Sequence, residues 1–391
     1  MNLINYHKMK FLRLAFYVLI AQLVLSGCAG EGVEETSSSS SSEINFDAYV
    51  GRDASTRSSI TDIDFLKRDL NPTFNAGFGV FARYNHDGNT SSLLDTEHVY
   101  WKNWKGDHKD WGYEHTRFWP SNGTVDFYAF APYSEYVQMG SLPTDLAQKD
   151  DISPYTYIDF PSNESPIDLI WANQTGKTAP KSPADSKVTF KFEHALARLS
   201  FDITAPKLED GTVIKVQRVR LYGASDYEGV FVMRGYLNLY TGDWILADNG
   251  IKWHYSWTPE GKKADIPNND NDKKDSIVYK LSAPPQLPNL ENKNKVTNDK
   301  DSYIFIIPQT KTEAFHLAIT YTVEQGDFKE TVTVKKNLLD VLCKPGDPNP
   351  SFTFEKGKAY VFHLKLSLDP VNFSVTVDGK KRDEVTGGIT I

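Results

Sequence analysis

Cysteine is almost absent: 391 residues contain two, Cys28 and Cys343. Such a pair defines no disulfide framework, so packing alone must hold the fold. Cys343 has no histidine near it in the sequence and reads as a buried, inert thiol rather than a nucleophile. The motifs of common enzyme chemistry are missing too. There is no G-x-S-x-G elbow, no H-E-x-x-H and no phosphate-binding P-loop. His108, Asp110 and His115 are neighbours, but their spacing suits no common metal site. The polar stretch from Asn268 to Asp275 lacks the glycine and the closing glutamate of a calcium loop. Carboxylates are plentiful, yet nothing singles out a catalytic pair. No enzymatic activity, cofactor or metal is expected. Positive charge is outweighed: 43 Lys and Arg stand against 51 Asp and Glu, and the formal net charge of −8 argues against a nucleic-acid partner and against electrostatic docking on anionic lipid. Leu/Ala/Glu patterns of helical period are few.

Apolar residues make up 40% of the chain and aromatics 13%, enough for substantial cores. Val, Ile, Thr, Tyr and Phe dominate, which favours an all-β protein, and the length favours two domains.

Residues 1–27 carry Lys8, Lys10 and Arg13 and no acids, followed by an apolar run from Leu14 to Leu25. This reads as a signal peptide, too short for a spanning helix. Its loss would leave the remainder three charges more negative. Ser26-Gly27-Cys28 at the end of the apolar run has the form of a bacterial lipoprotein signal, with Cys28 as the lipidated residue. Several acyl chains on one residue suffice for stable anchoring. Serines from Ser37 to Ser42 form a polar leash. A strand-like segment follows, with Ile44, Phe46, Ala48 and Val50 alternating onto one face. Beyond it, Asp53-Ala54-Ser55-Thr56-Arg57 is a polar loop open to proteolysis. Arg57 is the favoured cleavage point, Arg52 the alternative and Lys67-Arg68 a poorer one.

Further strands are expected at roughly ten-residue spacing, among them 78–84, 128–133, 168–172, 188–192, 213–222, 235–240, 303–308, 314–323, 331–334, 359–368 and 371–377. That rhythm suits sandwiches rather than βαβ units. Thr178 to Ser186 has a linker's composition, so the expected division is a leader over 28–57 and domains over 58–183 and 184–391. Residues 194–203 read as a bent strand, with His194 a satisfied core histidine. Trp101, Trp104 and Trp111 are candidate ligand contacts, since aromatic faces stack on sugar rings; hairpin and core packing is the alternative.

Several motifs, in order, carry a resemblance. Phe118-Trp119-Pro120 precedes Val125-Asp126-Phe127-Tyr128-Ala129-Phe130-Ala131-Pro132. Then come Asp168-Leu169-Ile170-Trp171-Ala172, Phe192-Glu193-His194-Ala195-Leu196-Ala197-Arg198-Leu199, Ile306-Ile307-Pro308-Gln309 and Gly357-Lys358-Ala359-Tyr360. Together they resemble the fimbrillin family, the lipoprotein pilins of the type V class made by Gram-negative anaerobes. The resemblance implies two tandem transthyretin-like β-sandwich domains with Greek-key connections. It also implies export as an outer-membrane lipoprotein, then trimming by an arginine-specific protease that removes the first strand. A neighbouring subunit's C-terminal strand would take the vacated place, building a surface fimbria.

The residues fit such an exchange on their own terms. Losing Ile44 to Val50 would leave unpaired backbone groups and an empty apolar trough. Val371, Phe373, Val375 and Val377 alternate as the lost strand does and form the candidate donor, with Gly387 to Ile391 as a possible second strand. The alternative is that 371–377 is simply the last strand of its own domain. The expected function is therefore a shaft or tip subunit of an adhesive fimbria. Expected partners are other subunits in a homo- or hetero-polymer, the protease, a host glycan or protein receptor, and the membrane through the lipid before maturation. A glycan-binding lipoprotein of a carbohydrate-uptake system, or an uncleaved membrane anchor of a fimbria, are the alternatives.

Overall fold

The computed structural model describes residues 42–51, 61–68, 76–134, 138–139, 155–159, 168–182, 186–204, 211–225, 228–247, 252–258, 276–280, 286–287, 304–366, 372–377 and 380–381. Cys28, Arg52, Arg57, Val371 and residues 387–391 lie outside them.

The chain is all-β apart from short helical turns such as Ile63–Leu66 and Leu338–Leu342. In chain order, the first strands are β1 (Asn45–Val50), β2 (Phe78–His86), β3 (Asn89–Lys105), β4 (His108–Gly112) and β5 (Thr124–Ala131). Next come β6 (Gln138–Met139), β7 (Tyr155–Asp159), β8 (Ile170–Lys177), β9 (Lys187–His194) and β10 (Ala197–Thr204). β11 (Val213–Tyr222) is followed by β12 (Phe231–Val232), β13 (Arg234–Asn238), β14 (Trp244–Leu246) and β15 (Lys252–Thr258). β16 (Ser276–Lys280), β17 (Gln286–Leu287), β18 (Ile304–Ile306), β19 (Gln309–Lys311), β20 (His316–Gln325) and β21 (Phe328–Asn337) come next. The last are β22 (Phe352–Phe354), β23 (Ala359–Lys365), β24 (Asn372–Val377) and β25 (Lys380–Lys381).

Local chemistry sets the hairpins. β2 turns into β3 through the two-residue loop Asp87-Gly88, both at positive φ (48° and 75°), the conformation that a twisted tight hairpin requires.

The first sheet has the order β1-β9-β8-β5-β2-β3-β4. Its strands alternate between two cores. Phe78, Val80 and Ala82 of β2, Val125, Phe127 and Ala129 of β5, and Val188, Phe190 and Phe192 of β9 face one core. Phe81, Tyr128, Phe130 and Trp171 point into the other, which contains most of the apolar residues after Ala195. A strand buried on both faces reads as a continuous apolar run, which accounts for Tyr128-Ala129-Phe130-Ala131.

The stretch Thr178 to Ser186 does not separate two bodies. It connects β8 to β9, and β9 pairs with both β8 and β1 in the first sheet. The first sheet therefore extends past the boundary expected at 183/184 and ends at His194. The chain bends at Ala195-Leu196 and continues as β10, which joins the sheet β18-β10-β23-β24-β25. A second long sheet, β12-β15-β11-β20-β21, packs around the same later core.

Candidate functional site

Strand β1 occupies the edge of the first sheet and pairs in parallel with β9, from Asn45 opposite Lys187 to Val50 opposite Phe192. Ile44 and Phe46 are fully buried, Val50 is nearly so, and Ala48 packs against the same core. Tyr49, one residue out of phase, is 56% exposed. The alternation expected for Ile44, Phe46, Ala48 and Val50 is thus present. Burial of each large apolar side chain contributes about 1.5–3 kcal/mol.

Phe46 is the centre of the seat. Its ring stacks on Phe190 with centroids 5.8 Å apart, meets Phe127 edge-on at 5.9 Å and lies 5.3 Å from Tyr113. A backbone clasp holds the start of the strand: the Ile44 amide donates to Arg117 O at 2.8 Å, and the Trp119 amide to Ser42 O at 3.0 Å. The Tyr113 hydroxyl donates to Ile44 O at 2.9 Å and accepts from the Arg117 amide at 3.0 Å. Burial pushes the Tyr113 phenol up to about 12, because the phenolate would be stranded away from water. Opposite ends of this sheet are drawn together around the core: Lys187 of β9 donates to the Asp110 carboxylate of β4 at 2.7 and 2.9 Å. β1 fills the seam beside that bridge.

The dependence runs in the other direction as well. β9 meets β8 only at its C-terminal end, where Ile170 faces His194 and Trp171 faces Glu193. From Lys187 to Phe192 its ladder partner is β1. Removing β1 would leave that strand unpaired over most of its length and uncover Phe190.

The chain immediately after residues 52–60 is pinned. Thr61, 1% exposed, donates its hydroxyl to Asp168 O at 2.6 Å and its amide to the Asp168 carboxylate at 3.4 Å. His194 Nδ1 meets the other oxygen of that buried carboxylate at 3.0 Å. Asp62 caps the following helical turn, Leu66 is fully buried, and the Lys67 ammonium sits 4.2 Å from the Trp101 ring centroid. His194 is a partnered histidine at the point where the chain changes sheets.

The three tryptophans are together, but their faces are in use. Trp111 is buried and packs edge-on against Phe78 at 5.1 Å and Trp101 at 5.2 Å. Trp104 lies across Gly112, where an added Cβ would come within 2.6 Å of the ring. Lys102 is 4.1 Å from the Trp104 ring centroid. These contacts are those of hairpin and core packing, with Trp101 and Trp104 left half-buried. Of the other residues named from sequence, Asp110 pairs with Lys187 and His115 with Glu97 at 3.2 Å. Among the described residues no group of three or more His, Cys, Asp or Glu side chains converges as a metal site. Cys343 is buried and donates to Ser351 O.

Phe373, Val375 and Val377 lie on β24, which pairs antiparallel with β23 in its own sheet. β25 pairs with its other side, so the candidate donor is flanked by a strand on each side in its own sheet. Sequence reading gave Tyr113 and Thr61 no role and met Asp168 only as the start of the 168–172 motif; each acts through a partner distant in the chain.

The fold and the site together define an all-β protein whose first sheet is completed at one edge by β1. No curated protein matches the chain. A family model described as fimbrillin-like matches residues 68–379, a range that begins beyond β1, and the chain belongs to that family. Among solved structures, a fimbrial protein from Bacteroides vulgatus ATCC 8482 is similar at 18% identity and TM-score 0.54, over 86% of this chain and 98% of that one. A putative cell adhesion protein from Bacteroides uniformis ATCC 8492 aligns at 17% identity and TM-score 0.42, over 86% and 98%. The tip fimbrial protein Mfa3 from Porphyromonas gingivalis aligns at 10% identity and TM-score 0.33, over 80% and 95%.

Proposed function

We propose that this chain is a structural subunit, shaft or tip, of an adhesive surface fimbria assembled by donor-strand exchange. It is exported as an outer-membrane lipoprotein through Cys28. An arginine-specific protease then cuts after Arg57, or after Arg52, and β1 leaves with the leader. The exposed groove between β9 and the 113–119 segment accepts the C-terminal strand of the next subunit. That strand restores the ladder and refills the Phe46 seat. β24 is released from β23 when it acts as donor. The two cores support a two-domain organisation in which the first domain ends at His194.

One observation carries this reading: β1 is an edge strand whose side chains fill a core seat while its backbone is the main ladder partner of β9. Such a strand is costly to lose and simple to replace. The tryptophan packing gives no support to the glycan-uptake alternative.

N-terminal sequencing of surface material from the producing cell tests the reading. A start at Ser58 or Asp53, in material forming SDS-resistant ladders, is expected. An intact lipidated Cys28 on all mature protein would contradict it and point to an anchor subunit.

A further inference from the structure

Two loops far apart in the sequence meet at one end of the first sheet. The β2–β3 hairpin supplies Asn85 to Thr90 and the turn into β5 supplies Gly123 and Thr124; together they line a concavity of about 400 Å³. Strand directions place it. β1 runs parallel to β9, which is antiparallel to β8, and β8 is antiparallel to β5. Thr124, where β5 starts, therefore lies at the end where β1 starts, opposite His194, where the chain crosses to the later core. The concavity stands at the pole of the first sheet away from that crossing.

Hydrogen bonds fix its walls in advance of any ligand. The Asp126 carboxylate accepts from the Asn85 side-chain amide at 2.8 Å and from the Gly176 backbone amide at 2.6 Å, and Asn85 in turn accepts from the Thr90 hydroxyl at 2.7 Å. The Tyr84 hydroxyl donates to the Asn122 side-chain oxygen at 2.6 Å, and the nitrogen of that amide lies 3.3 Å from His86 Nε2. The Tyr84 and His86 rings are near-parallel, 17° apart, with centroids at 5.9 Å. Only glycine lets the 122–124 turn come this close: a Cβ on Gly123, at φ +71°, would lie 2.4 Å from Asn85 O and 2.8 Å from the Tyr84 ring. Walls held this way lose little freedom when a ligand arrives.

The lining selects a ligand class. No hydrophobic side chain lines the concavity, so an apolar ligand gains little there. Asp87, 82% exposed, is the one carboxylate among the lining residues. It repels anions, and a single exposed carboxylate holds a cation weakly. The remaining groups are the Asn89 amide, the Thr90 and Thr124 hydroxyls and the His86 imidazole, which between them donate and accept. Sugar hydroxyls do both as well, and the C–H face of a sugar ring suits an aromatic neighbour. The volume is that of a small-ligand site. We propose that this pole binds a neutral saccharide, with Asp87 and Asn89 meeting ring hydroxyls at the rim and His86 beside the sugar face. The proposal rests on the adhesive reading above for its purpose, giving the adhesion a receptor class and a place; the binding itself does not depend on strand exchange.

The uncut full-length protein is titrated with galactose, glucose, mannose, N-acetylglucosamine and the anionic N-acetylneuraminic acid, followed by saturation-transfer NMR and calorimetry. At least one neutral sugar should bind. Asp87→Asn, which tolerates the φ of 48° at that position, and Asn89→Ala, at an exposed site, should each weaken it by about tenfold with the melting temperature unchanged. Trp104→Ala, at the opposite end of β3, should leave the affinity as it was. Failure of every neutral sugar to bind, binding of N-acetylneuraminic acid alone, or affinity lost with Trp104→Ala but kept in both hairpin variants overturns the proposal. Sugar binding at the hairpin in a protein that forms no ladder after trimming would sink the exchange reading and leave this site standing; ladders without sugar binding would do the reverse.

Discussion

Phe46 stacks on Phe190 of the parallel neighbouring strand, with ring planes 21° apart. One ring belongs to the segment proposed to be discarded, the other to the groove that remains. Phe46→Ala should therefore destabilise the uncut protein by about 3–5 kcal/mol, the usual cost of emptying a buried phenylalanine site. Trimmed, polymerised protein made from the same variant should be as stable as the wild type, because position 46 has left the molecule. Denaturant unfolding of both forms checks this; equal losses in both would mean that β1 stays.

Alkaline pH should loosen β1. Tyr113 has its phenol raised to about 12 by burial, against about 10 for an unfolded tyrosine. The folded state therefore holds the proton more tightly than the unfolded one. The associated stability is complete below pH 10 and is lost as pH rises from about 10 to 12, by at most roughly 2–3 kcal/mol. Tyr113→Phe should be less stable at neutral pH, since Ile44 O loses its donor, but should show a flatter decline over that window. Unfolding measured from pH 8 to 12 for both proteins decides it; parallel curves would contradict the assignment.

Much of this was readable in advance, and the remainder was hidden for definable reasons. The alternation of Ile44 to Val50 was plain, and β11 runs from Val213 to Tyr222 as expected. Strand β3, from Asn89 to Lys105, went unread because Asn89-Thr90-Ser91-Ser92 has the composition of a loop. Its pairing with β2 makes it a strand, not its propensity. The linker-like Thr178 to Ser186 misled because composition marks a turn without saying whether the next strand returns to the same sheet. Thr61 and Asp168 are 107 residues apart and Lys187 and Asp110 are 77 apart, so neither pair leaves a local trace.

The pinned segment should set the limit of trimming. With Thr61 held by Asp168 and the Lys67 ammonium on Trp101, an arginine-specific protease should stop at Arg52 or Arg57 and spare Arg68. Asp168→Ala removes the acceptor of the Thr61 amide and the partner of His194, at a cost of about 1–3 kcal/mol. Mass spectrometry should then find products cut after Arg68. Identical N-termini from wild type and variant would show that the pin has no such role.

A separate contact ties the turn after β13 to the first sheet. Gly242, at φ +71°, approaches Trp171 so closely that an added Cβ would lie 2.1 Å from the ring. Gly242→Ala should cost about 1–3 kcal/mol from overpacking and left-handed strain together. It should also shift the fluorescence of Trp171. An unchanged melting temperature would mean that the turn yields without consequence.

Amide hydrogen exchange on β9 tests the central claim most directly, since from Lys187 to Phe192 that strand is paired with β1. Protection at those alternate amides between Val188 and Phe192 that face β1 should be high in the uncut protein, collapse in the trimmed monomer and return in the polymer, while β5 stays protected throughout. Protection of β9 that persists in the trimmed monomer would mean that the first sheet closes without β1, and assembly by strand replacement would be ruled out.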